Sequence, residues 1–221
     1  MQDLQQQLDQ KTAQLAALRE IGQAINAAWD LKATLELITL FSQGKFPWPT
    51  NDPKLSRPVW DRMVKTAERY NEPGKFTAFI GYEWTSLVRG NNLHRVVIYR
   101  DDGDKAIQTL PFTNADSSDP EELWKALAAY EAKTGGNVLA IPHNGNLSNG
   151  MMFAETTVSG QAFDAAYAKT RAEWERLYEV TQIKGDGETH PLLSPDDEFA
   201  DYETWDAGNL DLSEKKTDAM L

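Results

Sequence analysis

The sequence predicts an α/β domain in which mostly parallel strands alternate with helices, preceded by an N-terminal amphipathic helix in coiled-coil register. Three observations predict it. Short apolar runs, residues 76–82 and 137–141 among them, alternate with helical patterns that carry start and stop signals. Leu4, Leu8, Lys11, Leu15, Leu18, Gly22, Ile25 and Trp29 recur at spacings of four and three. Between the two regions, Phe46-Pro47-Trp48-Pro49-Thr50-Asn51-Asp52-Pro53 holds three of the chain's ten prolines and reads as a boundary. The organisation is therefore a helical segment over 1–41, a Pro-rich linker over 42–57 and an α/β domain over 58–221.

The heptad pattern over 4–29 is interrupted at Lys11 and Gly22. Asp30 then caps a second helix over 31–40, with Leu31, Leu35 and Ile38 on one face. A helix of about 28 residues is about 42 Å long, more than one face of a small domain readily covers. A parallel homodimer through residues 4–25 is the expectation, and folding back over the α/β domain is the alternative.

Residues 58–70 read as helix, stopped by Asn71-Glu72-Pro73-Gly74. The run 76–82 reads as a buried strand, 93–99 as a second and 107–112 as a third. Asp119-Pro120-Glu121-Glu122 starts a helix with an N-cap, a proline in the first turn and acids at the positive end of the dipole. It ends at Gly135-Gly136. Residues 137–141 form a strand, 160–176 a helix, 177–183 a strand and 196–205 a short helix.

The 221 residues carry 22 Lys+Arg and 34 Asp+Glu, a net charge of −12, with a pI near 4.7. An acidic chain with scattered basic residues is a poor nucleic-acid binder. No apolar stretch is long enough to span a bilayer. No signal peptide is visible at the N-terminus, which makes the cytoplasm the default location. The chain has no cysteine, so thiol catalysis and cysteine metal sites are excluded.

The chain has only three histidines, His94, His143 and His190. His143 directly follows the strand 137–141, and Glu83 follows Phe79-Ile80-Gly81-Tyr82 in the same way. His94 opens the second strand, and His190 follows the strand 177–183. Polar residues at strand ends are where α/β folds place ligands and catalysts. Histidine and carboxylate are ligands that Zn, Mn and Fe accept. Packing or surface roles for the histidines, and pairing of Glu83 with Arg95 or Arg89, are the competing readings.

These residues also carry a resemblance. Phe79-Ile-Gly-Tyr-Glu-Trp-Thr-Ser86, Asn92-Leu-His-Arg95, Asp119-Pro-Glu-Glu-Leu-Trp124, Leu139-Ala-Ile-Pro-His-Asn-Gly-Asn-Leu-Ser-Asn-Gly150 and Gly185-Asp-Gly-Glu-Thr-His-Pro191 resemble the bacterial family called domain of unknown function 3604. That family is distantly similar to the PHP (polymerase and histidinol phosphatase) metal-dependent hydrolases. The resemblance covers about residues 43–221. Leu15-Ala-Ala-Leu-Arg-Glu-Ile-Gly-Gln-Ala-Ile-Asn26 resembles the signalling helix that leads into GAF sensor domains.

The PHP resemblance implies a partial (βα) barrel with a divalent transition metal site, of Zn, Mn or Fe. It makes Glu83, His94 and His143 the ligands. In the enzyme reading built on it, His190 is a ligand or proton donor, and Asn144 and Asn146 orient substrate oxygens. The His-x-His pair of PHP proteins does not precede residue 76, and no late Asp-x-His follows. The expectation is therefore an incomplete site holding one ion. Hydrolysis of a small phosphoester or related ester is the expected function. The alternative is a catalytically inactive fragment or fusion acting as a structural, self-associating module.

Overall fold

The structure, a computed structural model, describes residues 52–187, 189–205 and 207–215. The expected heptad helix, the helix over 31–40 and the homodimer through residues 4–25 lie outside the described residues. Asp52 begins what is described. Its carboxylate accepts from the Lys54 N–H at 2.9 Å and caps α1, Pro53–Tyr70, whose first position is a proline. The helix thus starts inside the stretch expected to be linker, and it accommodates Pro58 internally. Trp60 and Val64 form its buried face, and the Trp60 indole donates to the Ala106 carbonyl at 3.1 Å.

The central sheet has three strands: β1, Ile80–Trp84; β4, Arg95–Tyr99; and β5, Val138–Pro142. Their order is β1-β4-β5, and both pairings are antiparallel, with Trp84, Arg95 and Pro142 aligned across the sheet. The mostly parallel arrangement is therefore corrected among the described residues, and no parallel barrel is formed by them.

The connections explain why. Residues 85–94 hold only the hairpin β2, Leu87–Val88, and β3, Asn91–Asn92, whose turn uses left-handed Arg89 and Gly90. Ten residues are too few for a parallel crossover. After β4 comes the single turn α2, Gly103–Ala106; at the expected third strand (107–112), residues 107–109 form a turn and 110–112 an irregular stretch. That stretch runs back along the sheet until the Ser118 carbonyl accepts from the Ser86 hydroxyl at 2.7 Å. Helix α3, Pro120–Thr134, then returns the chain to the far end of β4. Two traverses of the sheet deliver β5 antiparallel.

Helix α3 follows its sequence signals closely. Asp119 caps it by accepting from the Glu121 N–H at 2.9 Å, and left-handed Gly135 ends it. Its Leu123, Trp124, Leu127 and Tyr130 pack on the sheet face formed by Ile80, Trp84, Val97, Tyr99 and Ala140. Gly81 is required on β1, because a Cβ there would lie 2.7 Å from the Val97 carbonyl oxygen of β4. Helix α4 spans Ala165–Trp174, shorter than the expected 160–176. The expected strand 177–183 reduces to β6, Thr181–Gln182, in a hairpin with β7, Gly185–Asp186. Residues 196–205 form turns rather than a helix. No helix among the described residues is long and apolar enough to cross a membrane.

Two charged clusters lock these elements. The Arg95 and Glu175 side chains are each only 2 % exposed and meet at 2.9 Å. Glu175 also accepts from the Trp124 indole of α3 and the Arg171 guanidinium of α4, both at 2.9 Å. At the other end of β4, Asp101 accepts from the Asn137 N–H at 2.6 Å and from the Tyr130 hydroxyl at 3.0 Å, and pairs with Lys105. Burial alone raises the Asp101 pKa, but these donors outweigh it and hold the value below the ordinary one.

Glu175→Ala should cost about 3–5 kcal/mol of stability, because it leaves the Arg95 charge buried and unpaired. Urea denaturation measures this, and Arg95→Met combined with Glu175→Leu should recover most of the loss. Asp101 contributes fully above the unfolded carboxyl pKa, about 3.9, and its contribution disappears as the pH falls through the lower folded value. Asp101→Asn should therefore lower stability at neutral pH and flatten the acid limb of a stability-versus-pH curve.

Candidate metal centre

The sheet register assembles this site. Side chains alternate along a strand, so Tyr82 and Trp84 face the core while Glu83 faces the other way. Antiparallel alignment of Trp84, Arg95 and Pro142 places His94 and His143, each one residue beyond the paired segment, on the same face as Glu83. The pairing continues past the strand ends, since the His143 N–H donates to the His94 carbonyl at 3.3 Å.

His94 and His143, 11 and 60 positions after Glu83, thus converge on it, with one ligand atom of each of the three inside a 4.8 Å span. Glu83 Oε1 lies 2.8 Å from His143 Nε2 and 3.3 Å from His94 Nδ1. The two imidazole rings stand 5.9 Å apart at 66°. Hydrogen bonds from His143 and then His94 hold the Glu83 carboxyl well below the usual carboxylate range. Neither Arg95 nor Arg89 is its partner: Arg95 is committed to Glu175 on the opposite face of the sheet.

The donor set fits a divalent transition ion. His143 Nδ1 lies 3.4 Å from the Ile141 carbonyl, which can only accept. A neutral imidazole carries one proton. It can serve that carbonyl through Nδ1 or the Glu83 carboxylate through Nε2, but not both. Serving both requires an imidazolium or a cation beside Nε2. A histidine turned to a carbonyl through its second nitrogen is also how metal-binding histidines are oriented. Around a tetrahedral ion with bonds of ~2.0–2.1 Å, ligand atoms stand roughly 3.3 Å apart. The Glu83–His94 separation already matches this, and His143 must withdraw by roughly half an ångström. His94 Nε2 is buried without a hydrogen-bond partner. Among the described residues this is the one group of three or more His, Asp or Glu side chains arranged to hold an ion.

His190 and Asn144 do not join the three. Asn144 is 3 % exposed and left-handed. Its N–H donates to Glu179 Oε2 at 2.9 Å, and its carboxamide oxygen accepts from Gln182. It turns the chain after His143, and its side chain is held internally. His190 lines a cavity with Asn146, and its Nδ1 accepts from the Leu192 N–H at 3.2 Å. A neutral His190 ring therefore carries its proton on Nε2.

Two supporting residues escape the sequence reading. Fully buried Asn92 accepts the His94 N–H at 2.7 Å through its Oδ1. This Asx turn is readable from the Asn-x-His spacing. Glu179 anchors the turn after His143 from 35 residues away and leaves no local signal.

A family model described as "Protein of unknown function (DUF3604)" matches residues 1–221, including the N-terminal segment. No curated protein and no solved structure matches the chain significantly.

Titration calorimetry of the chain with Zn²⁺ should show about one ion bound. His143→Ala should reduce affinity by at least tenfold, because it removes one of three ligands. Glu83→Gln should weaken binding in the same direction while circular dichroism shows an unchanged fold.

Proposed function

The chain belongs to the DUF3604 family, and on that premise we propose that it is a PHP-like metal-dependent hydrolase of phosphoesters or related esters. One observation carries the reading: Glu83, His94 and His143 form a three-ligand set with one side open. Structural zinc sites close with four protein ligands, whereas hydrolytic sites use three and leave a position for water or substrate. The Glu83 side chain is 45 % exposed while those of His94 and His143 are 13 % and 10 % exposed, so the set is fixed from within and accessible from solvent.

Glu83, His94 and His143 would hold the ion, for which Zn, Mn and Fe all suit the donor types. A divalent ion bound there would supply a water of lowered pKa and a Lewis acid for the ester oxygen. The Ile141 carbonyl fixes the His143 ring, and Asn92 fixes the backbone at His94. His190, through its Nε2–H, donates a hydrogen bond to the departing oxygen, which takes its proton from water. Asn146 orients substrate oxygens beside it. The PHP relationship itself is supported by the motifs around these residues and by the convergence of the three ligands.

A panel of phosphoesters assayed with added Mn²⁺ or Zn²⁺ tests the reading. Turnover should depend on the ion and fall by at least a hundredfold in Glu83→Gln. His190→Gln should lower turnover of substrates with poor leaving groups more than that of activated aryl esters. Full metal loading with no turnover of any ester would overturn the hydrolase reading and leave a purely structural ion.

A further inference from the structure

We propose that the cavity following His143 binds a neutral, polyhydroxylated ring, a sugar, and that this sugar is the alcohol half of the substrate. The second clause rests on the hydrolase reading; the binding does not. The cavity measures about 650 Å³, within the ~300–1,000 Å³ usual for small-molecule sites.

Its lining disfavours a polyanion. Among the described residues the carboxylates Glu155 and Asp186 line it and no lysine or arginine does, and the Arg171 guanidinium behind Phe153 is paired with Glu175. A phosphate seated here meets two carboxylates, with His190 as the one basic side chain of the lining. A neutral ligand meets no such cost, and carboxylates are good acceptors for hydroxyl donors.

Its polar atoms ask for hydroxyl groups. Asn149 is 6 % exposed, lines the cavity, and has a buried Oδ1 without a partner. The Thr189 Oγ1, also in the lining, is buried and unpartnered as well. Buried polar atoms left without partners are costly. An acceptor carbonyl and a hydroxyl that can both give and take suit the hydroxyl groups of such a ring.

Its aromatic walls favour a puckered ring over a flat one. Phe153 and Tyr178 both line the cavity and meet at 5.0 Å and 80°. They form a corner, not the parallel slot that sandwiches a nucleobase. The Arg171 guanidinium covers one face of the Phe153 ring, 4.4 Å from its centroid, and the ring is still 57 % exposed, which leaves apolar surface for the C–H side of a sugar. Tyr178 is pressed against Gly145, where a Cβ would lie 2.0 Å from its hydroxyl. The aromatic corner therefore begins two residues after the ligand His143.

Saturation-transfer NMR on the EDTA-treated full chain tests this, with methyl pyranosides of glucose, galactose, mannose and xylose as probes. At least one should receive saturation at its ring C–H protons. The signal should fall at least tenfold in Phe153→Ala and in Asn149→Gly, the latter because glycine keeps the left-handed backbone at φ 47° while removing the amide. Thermal melts should show both variants folded. No transfer to any pyranoside, transfer that survives both substitutions, or displacement of the sugar by inorganic phosphate or adenosine at lower concentration would overturn the proposal. A Zn²⁺ titration of the same preparation reports separately on Glu83, His94 and His143, so either reading can fail alone.

Discussion

The buried Arg95–Glu175 pair is the constraint on which the rest of the described structure depends. A guanidinium taken out of water inside a core is tolerated only when its charge and its donors are answered. Here Glu175 answers it, and the same carboxylate takes the Trp124 indole and Arg171. One carboxylate thus joins β4, α3 and α4. Because alternate residues on a strand face opposite ways, turning Arg95 inward forces its neighbour His94 outward. A slip of β4 by one residue would bury an imidazole and expose the guanidinium, so the pair fixes the register as well as the packing.

That register is what makes the Glu83–His94–His143 cluster. No loop closure or induced fit is needed to bring the three side chains together. They sit at the shared end of three adjacent strands, with the Ile141 carbonyl and Asn92 fixing their orientation. Sites built on strands hold geometry more tightly than sites built on loops. The cavity beyond His143 is built differently, from two 3₁₀ turns, Gly145–Leu147 and Met151–Phe153, and the hairpin β6–β7.

Much of this is legible in the sequence, and what is not has identifiable reasons. Helix α3 is readable because Asp119, Pro120 and Gly135 act within a few residues of the backbone they cap. Glu83 and His143 are readable as strand-end residues, since each follows an apolar run. Strand direction is not readable, because it depends on how often the chain between β4 and β5 crosses the sheet. The run 107–112 looks like a strand by composition, yet 107–109 form a turn and among the described residues no strand pairs with 110–112; Ile107 is partly exposed, and Leu110 and Phe112 pack against the core. The run 177–183 fails for a related reason. Leu177, Val180 and Ile183 are exposed, so its alternation answers to no buried face. Glu175 could not be matched with Arg95 across 80 residues without knowing which helix covers which strand.

The span of the cluster has a consequence for how the protein is made. Glu83 and His143 are separated by 60 residues, and His143 belongs to the last strand of the sheet to leave the ribosome. A nascent chain presents Glu83 and His94 together as soon as the first hairpin closes, but the third side chain arrives only after α3 has been synthesised and packed. Capture of an ion at full affinity would therefore report that the sheet is finished. An ion held there would also tie the two outer strands across the central one and shorten a long loop in the unfolded ensemble, like a reversible cross-link. In a chain without cysteine, that places the role of a covalent staple within reach of coordination chemistry.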